Sequence, residues 1–325
     1  MNNISRNKAL KDRGFIKKAS SYKEFGVLMT LVVLCVVVGA LSRDWVFFTP
    51  YNLLNVLRQI SVMAIIAVGQ AFVMISGGID LSVGSFLSFG GVFCAFLIMV
   101  GVNPWLALVI TLAVGFLLGT INGLIIVKLK LNAFITTLAM LNIVKGLAYL
   151  VTKGIPIDFE NSITFLGGEV GSIPVPVIIM FVVIILGHVL LTKTVFGRYV
   201  FAVGGNEKAS KLSGIPVEKT RLLVYGLIGS LGAFTGVITA ANLMTADTGA
   251  GLGYELDVIA ATVIGGVSVS GGKGSVPGVL IGAGILGVIR NGFVLLLIPS
   301  YWQMMSIGMV IILACAFDQF RASRR

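Results

Sequence analysis

Long stretches of this chain carry no charged residue. Residues 25–42, 59–79, 81–127, 170–192, 222–246 and 291–317 are free of Asp, Glu, Lys and Arg. A helix rises about 1.5 Å per residue, so crossing a hydrocarbon layer about 30 Å thick takes about 20 mostly apolar residues. The 81–127 run is long enough for two crossings, with Asn103-Pro104 as a break in its middle. Three further apolar segments hold or adjoin a charge: 132–152 with Lys145, 257–271, and 275–297 with Arg290. The expectation is an all-α integral membrane protein, a polytopic bundle of about ten transmembrane helices. They fall near 26–42, 60–76, 83–100, 104–127, 132–152, 174–192, 222–242, 257–271, 275–297 and 301–317. A transmembrane barrel would show weak ten-residue alternation instead of solid apolar runs. Only 11% of the residues are charged, against about 25% in a soluble domain. That is too few to cover a water-facing surface, and it excludes a secreted mini-domain, a disordered chain and an ordinary cytosolic enzyme.

The net charge of +11 is placed as a topology signal, not as a nucleic-acid patch. Seven basic residues precede Glu24, six lie between Lys193 and Arg221, and Arg321, Arg324 and Arg325 close the chain. Lys128, Lys130 and Lys273 bring this side to 19 of the 24 Lys and Arg. Basic connections stay cytoplasmic, so both termini are expected inside, which requires an even number of crossings. Asp158, Glu160, Glu169, Asp247, Glu255 and Asp257 fall in segments expected outside, and Trp45, Trp105 and Trp302 at outer helix ends. Contact with anionic lipid is the second use of the basic stretches. The first apolar run ends in Gly39-Ala40-Leu41-Ser42, a poor cleavage site, so it reads as an uncleaved helix.

Several chemistries lack their residues. His188 is the only histidine, and Cys35, Cys94 and Cys315 have no metal-type spacing, so no metal site is expected. Gly282–Gly287 matches G-x-G-x-x-G inside an apolar span with no strand before it, which removes the dinucleotide reading. Gly272-Lys273 lacks the preceding glycine and following Ser or Thr of a phosphate loop, so this chain has no P-loop for ATP.

The 41 glycines include stripes at helical spacing, among them Gly115, Gly119 and Gly123, and Gly226, Gly229, Gly232 and Gly236. Close packing of helices in lipid explains most of these. It does not explain Ser76-Gly77-Gly78-Ile79-Asp80-Leu81-Ser82-Val83-Gly84, where a helix breaks and a carboxylate and a hydroxyl follow. Broken helices with polar side chains are tolerated at membrane depth only where they are buried in protein or line a water-filled path. Ser270-Gly271-Gly272 and Gly278 repeat Ser76-Gly77-Gly78 and Gly84 at a shift of 194 positions. Paired interrupted helices point to a substrate path.

The longest basic connection, 193–221, contains a short helix with clear ends. Asn206 caps it, Glu207 suits its positive end, and Gly214 followed by Pro216 stops it. It is either a solvated linker or a docking element bearing Ala209 and Leu212.

Residues Ser76–Ser85, Gly204–Ile215 and Gly253–Lys273 together resemble the ribose-type permease subunits of bacterial sugar ATP-binding-cassette importers, a family that also handles xylose, galactose, inositol and furanosyl autoinducers. The resemblance runs from about Asn52 to Asp318. It implies one transmembrane permease domain over 26–318, between basic cytoplasmic tails at 1–25 and 319–325, in the bacterial cytoplasmic (inner) membrane. It further implies a pair of permeases, identical or related, with a separate cytoplasmic ATPase that holds ATP and Mg. An extracytoplasmic binding protein would deliver the sugar. No cofactor is expected on this chain, and no enzyme activity. Gly205, Asn206, Glu207, Ala209, Leu212, Ser213 and Gly214 would form the coupling element seated on the ATPase.

For the sugar path, the candidates are Asp80 and Ser82 at the first break, Asn132 and Thr136 on the fifth helix, and Glu255, Asp257 and Asn291 in the second half. Sugars need donors and acceptors, and a carboxylate can accept from two hydroxyls. Asp80 has the competing use of capping the helix after it. Lys145 and Arg290 are expected to snorkel or form a structural ion pair rather than touch sugar. The alternative class is an ion-coupled secondary transporter of a small polar solute.

Overall fold

A computed structural model describes residues 24–323. The basic N-terminal tail up to residue 23, and Arg324 and Arg325, lie outside the described residues. Helix α1 covers Glu24–Leu41 and leads through a 3-10 segment, Arg43–Phe48, to α2, Pro50–Ile75. Thr49 starts α2 by accepting from the Asn52 amide, and Pro50 supplies a preset first position. This start is ten residues before the expected one because Arg58 sits inside the helix, its charge paired with Glu169. Helices α3 (Val83–Met99), α4 (Pro104–Lys128) and α5 (Ala133–Thr152) follow. The side chains of Asn103 and Asn132 cap α4 and α5.

Beyond α5 the chain forms short strands β1 (Ile157–Asp158), β2 (Glu169–Val170) and β3 (Ile173–Pro174). Next come α6 (Val175–Lys193), α7 (Val195–Gly205), α8 (Glu207–Leu212) and α9 (Val217–Leu243). Strand β4 (Thr245–Ala246) and helices α10 (Tyr254–Ile264), α11 (Val276–Leu295) and α12 (Ser300–Ser323) complete the described chain. Strands β1 and β4 pair antiparallel, with Ile157 opposite Ala246, which ties the segment after α5 to the end of α9. Strands β2 and β3 form a hairpin, held to α2 through the Arg58–Glu169 pair.

Among the described residues, seven helices are long and apolar enough to cross a membrane: α1, α2, α4, α5, α6, α9 and α11. Helix α3 is a shorter apolar helix of 17 residues. The segment expected as one helix over 257–271 is instead the 11-residue α10 followed by an irregular turn. Gly265-Gly266 ends it, and the backbone of Gly278 packs directly against Gly265.

Helix α2 is the centre of the bundle: its most apolar window is 83% buried, against 11% for α1 at the edge. The glycine stripes are where backbones touch. A Cβ on Gly119 would lie 2.1 Å from the Tyr225 carbonyl oxygen, and one on Gly229 would lie 2.3 Å from that of Gly115, so α4 and α9 are in backbone contact. Helix α3 meets α9 the same way, Gly236 facing the Leu87 carbonyl at 1.9 Å. Such contact replaces the hydrophobic force that lipid cannot supply between helices.

Candidate functional site

The break after α2 is a tight elbow. Gly77 adopts φ +85°, and its N–H and that of Gly78 donate back to Met74 and Val73 at 2.9 and 3.0 Å, closing the helix end. The chain then turns inward. Asp80 is fully buried and accepts from the Ser82 amide at 2.7 Å, from the Ser82 hydroxyl, and from Asn122 Nδ2 at 3.4 Å. Asn122, on α4, also donates to Ser82 Oγ at 3.2 Å, and Thr137, on α5, donates to the Ile79 carbonyl at 3.3 Å. Asp80 and Ser82 therefore fix the start of α3 to its neighbours. Both are buried, and Asp80 accepts from the amide of Ser82, the residue just before α3.

The second elbow follows α10. Gly271 has φ +84°, matching Gly77, and a Cβ on it would lie 3.0 Å from the Gly77 Cα. The two related segments are thus in direct contact. Gly272 donates its N–H to the Ile75 carbonyl at 2.9 Å, joining the second elbow to the last residue of α2. The end of α7 enters the same junction: a Cβ on Gly204 would stand 1.7 Å from the Ile75 carbonyl oxygen and 2.8 Å from the Gly272 nitrogen. Three backbones meet where only glycine fits.

Two residues later the chain starts α8. Asn206 Oδ1 accepts from the Ala209 amide at 2.9 Å, and Glu207 binds Lys211 at 2.7 Å and Arg221 at 2.8 Å. Gly214, at φ +77°, ends the turn after Ser213. Ala209 is exposed and Leu212 is 91% exposed, a large apolar side chain that no described residue covers. The expected capped helix is present, beginning two residues after Gly205. Helix α7 before it was not expected, since 193–221 reads as a connection.

A small pocket lies between the first turns of α3, the middle of α5 and the segment entering α10. Gly84, Ser85, Ser88, Leu141, Lys145, Thr248, Gly251, Leu252 and Glu255 line it. Ser88 Oγ accepts from the Gly251 amide at 3.0 Å, and Ser85 donates to the Leu141 carbonyl at 2.7 Å. Gly84 and Gly251 are in backbone contact. Neither Lys145 nor Glu255 takes part in an ion pair among the described residues. The pocket has room for water, not for a sugar.

The seven expected path residues do not form one site. Glu255 lines the pocket. Asp257 is paired with Arg290 of α11, and Asn291 exchanges hydrogen bonds with Asn52 at 2.8 and 3.0 Å. Both side chains hold α11 to its neighbours. Asn132 caps α5 by accepting from the Phe134 amide at 2.8 Å, and Thr136 donates to the Asn132 carbonyl at 3.0 Å. Both are local to the start of α5. Lys145, expected to snorkel or form a structural ion pair, lines the pocket. The charge inside an apolar helix was its signal; that Glu255, 110 positions away, lines the same pocket was not legible. Among the described residues no cluster of His, Cys, Asp and Glu could hold a metal ion.

Residues 52–315 match the family described as the branched-chain amino acid transport system / permease component. The ribose import permease protein RbsC of Escherichia coli K12 is 44% identical over 298 residues, covering 90% of this chain and 92% of that one. Its counterpart in Bacillus subtilis is 41% identical over 311 residues, covering 93% and 94%. The L-arabinose ABC transporter permease protein AraH of Azospirillum brasilense is 35% identical over 302 residues, covering 92% and 88%. No solved structure matches this chain. The match spans both elbows, the pocket and the α7–α8 connection, and this multi-pass membrane protein belongs to the branched-chain amino acid transport system / permease component family.

Proposed function

We propose that this chain is the membrane-spanning subunit of an ATP-binding-cassette importer for a ribose-like sugar. It crosses the bacterial cytoplasmic membrane ten times with both termini inside, counting α3, the loop with α10, and α12 beside the seven long helices. It works with a cytoplasmic ATPase that holds ATP and Mg, an extracytoplasmic sugar-binding protein and a second permease copy, and catalyses nothing itself. The relatives named for ribose and arabinose import support the substrate class. The segregation of charge supports the orientation. Lys128, Lys211, Arg221 and Glu218 gather by the α8 end, while Asp158 and Thr245 pair at the other.

The observation that carries the mechanism is the triple backbone contact of Gly204, Ile75 and Gly272. Helix α8, with Leu212 uncovered, follows directly on α7. A pull on α8 by a partner is transmitted through Gly204 to the ends of α2 and of the second elbow. Movement of those elbows shifts the start of α3 and the segment before α10, which carry Gly84, Ser85, Ser88, Gly251 and Glu255. The pocket between them widens, and Ser85, Ser88, Thr248, Lys145 and Glu255 present hydroxyl, ammonium and carboxylate groups to sugar hydroxyls. ATP drives this by binding one ATPase arrangement more tightly than the other.

The test is uptake of labelled ribose into vesicles holding the permease, its ATPase and the binding protein. Leu212→Asp is expected to abolish ATP-dependent uptake and co-purification of the ATPase, with the permease still folded. Uptake by the permease alone, driven by a proton or sodium gradient and indifferent to Leu212→Asp, would place the chain among secondary transporters instead.

A further inference from the structure

A second, larger groove lies beside the coupling helix and outside the sugar path. Ile126, Val127, Lys130 and Leu131 form one wall, and Glu207, Lys211, Val217, Glu218 and Arg221 the other, around ≈ 760 Å³ of empty space. It therefore joins the end of α4 to α8 and to the start of α9. Three cations face two carboxylates in its lining, and Lys128, paired with Glu218 at 3.0 Å, adds a fourth positive charge at the edge. Glu207 is taken by Lys211 and Arg221. Lys130 is in no ion pair among the described residues, and it is exposed at φ +55°, a left-handed conformation that a lysine adopts only at some cost. The groove is thus left with an excess of positive charge and one open ammonium.

The rim is apolar. Leu129, Leu131, Phe134 and Ile135, which lead from α4 into α5, are all exposed. On the proposed orientation, on which this inference rests, the groove stands at the headgroup layer of the cytoplasmic leaflet and the apolar rim faces the acyl chains. Basic pockets between helices at this depth suit acidic headgroups, and a juxtamembrane lysine contributes to such binding. A free phosphate would use the charges and leave the rim idle. An acyl-bearing phosphate uses both.

We propose that the groove binds the phosphate of an anionic phospholipid, Lys130 contacting it first and Lys211 and Arg221 from the opposite wall. Because two of its lining residues belong to α8, an occupied groove braces the coupling helix against the end of α4.

The experiment uses the full-length permease alone, so that it reads lipid binding independently of sugar import. Detergent-purified protein is titrated with phosphatidylglycerol or phosphatidylcholine and bound lipid is counted by native mass spectrometry, with thermal unfolding as the check on folding. The wild type is expected to retain phosphatidylglycerol selectively. Lys130→Gln weakens that binding about five-fold, the effect of one lysine near an anionic surface, while Lys219→Gln on the outer face of α9 leaves it unchanged. Millimolar inorganic phosphate does not displace the lipid. Equal retention by Lys130→Gln and wild type would overturn the proposal, as would full displacement by phosphate, which would make this a free-anion site. A Lys130→Gln variant that keeps its lipid but loses capture of the ATPase would overturn it too, assigning the groove to the partner. If import itself fails while selective lipid binding stands, the importer reading falls and the groove remains.

Discussion

The two elbows share a Ser-Gly-Gly sequence and a first glycine at nearly the same φ, +85° and +84°, yet they are held by different means. The first is fixed by buried polar side chains, with Asp80 and Ser82 bound to α4 through Asn122 and Ile79 bound to α5 through Thr137. The second has the Ser268 hydroxyl accepting from the Ser270 amide at 3.3 Å and is packed through backbone contacts: Gly272 on Ile75, Gly271 against Gly204 and Gly77, Gly265 against Gly278. Its Ser270 is exposed where Ser76 is buried. A repeated motif thus specifies the shape of a turn, while its anchorage comes from residues far away in sequence. The two elbows touch each other, with the end of α7 packed into the same junction.

The largest effect is expected at the shared junction. Gly204→Ala puts a Cβ 1.7 Å from a backbone oxygen, which no side-chain rotation can relieve. Sugar uptake by the reconstituted importer should fall to background while the ATPase keeps hydrolysing. Gly308→Ala, with nothing within 4 Å, is the matched control. Wild-type uptake by Gly204→Ala would remove the junction from the transmission route.

Behind the second elbow, α10 is clamped to α11 by Asp257 and Arg290, whose side chains are 6% and 25% exposed. Removing one partner strands the other, so Arg290→Ala should cost about 3–5 kcal/mol in detergent unfolding. The double change Asp257→Leu with Arg290→Met should recover most of it. If the double variant folds and still imports sugar, Asp257 is structural, as its geometry indicates. If it folds and imports nothing, Asp257 belongs to the path after all.

The first elbow should fail by a smaller margin and in a different way. Asp80→Ala leaves the Ser82 amide and hydroxyl without their buried acceptor, costing about 2 kcal/mol. Asp80→Asn keeps an oxygen for the same amide and should lose less than half of that. Equal losses would mean that the charge, not the hydrogen bonds, holds α3.

The apolar spans, the glycine contacts and the capped helix α8 were legible because each is local: a run, a period, or a cap with its stop within ten residues. The pairings were not. Asp257 finds Arg290 at a separation of 33 residues, and Asn52 finds Asn291 at 239. A polar residue in an apolar helix announces only that it needs a partner, and a sugar and another side chain satisfy that need equally well. Hence Asp257 and Asn291 read as path residues and Lys145 did not, although the pocket holds Lys145 with Glu255. The early start of α2 was hidden for the same reason, Arg58 looking like a boundary until Glu169 neutralises it.

The last and smallest effect concerns α8, which follows directly on the junction of the two elbows. The hydrogen bond from Lys211, with Arg221 close by, holds the Glu207 carboxyl below its ordinary value of 4.5. A carboxyl whose value is lowered by folding adds stability in full above 4.5, and loses it as pH falls through the lowered folded-state value. The pair is more than a third exposed on the Glu207 side, so solvent screens it and its share is small. Hydrogen exchange of the α8 amides, corrected for intrinsic rates, should show modest extra protection in wild type over Glu207→Gln at neutral pH. That difference should vanish below the carboxylate range. A difference that persists in acid would mean that the Asn206 cap and packing of Ser210, and not the ion pairs, hold the coupling helix in place.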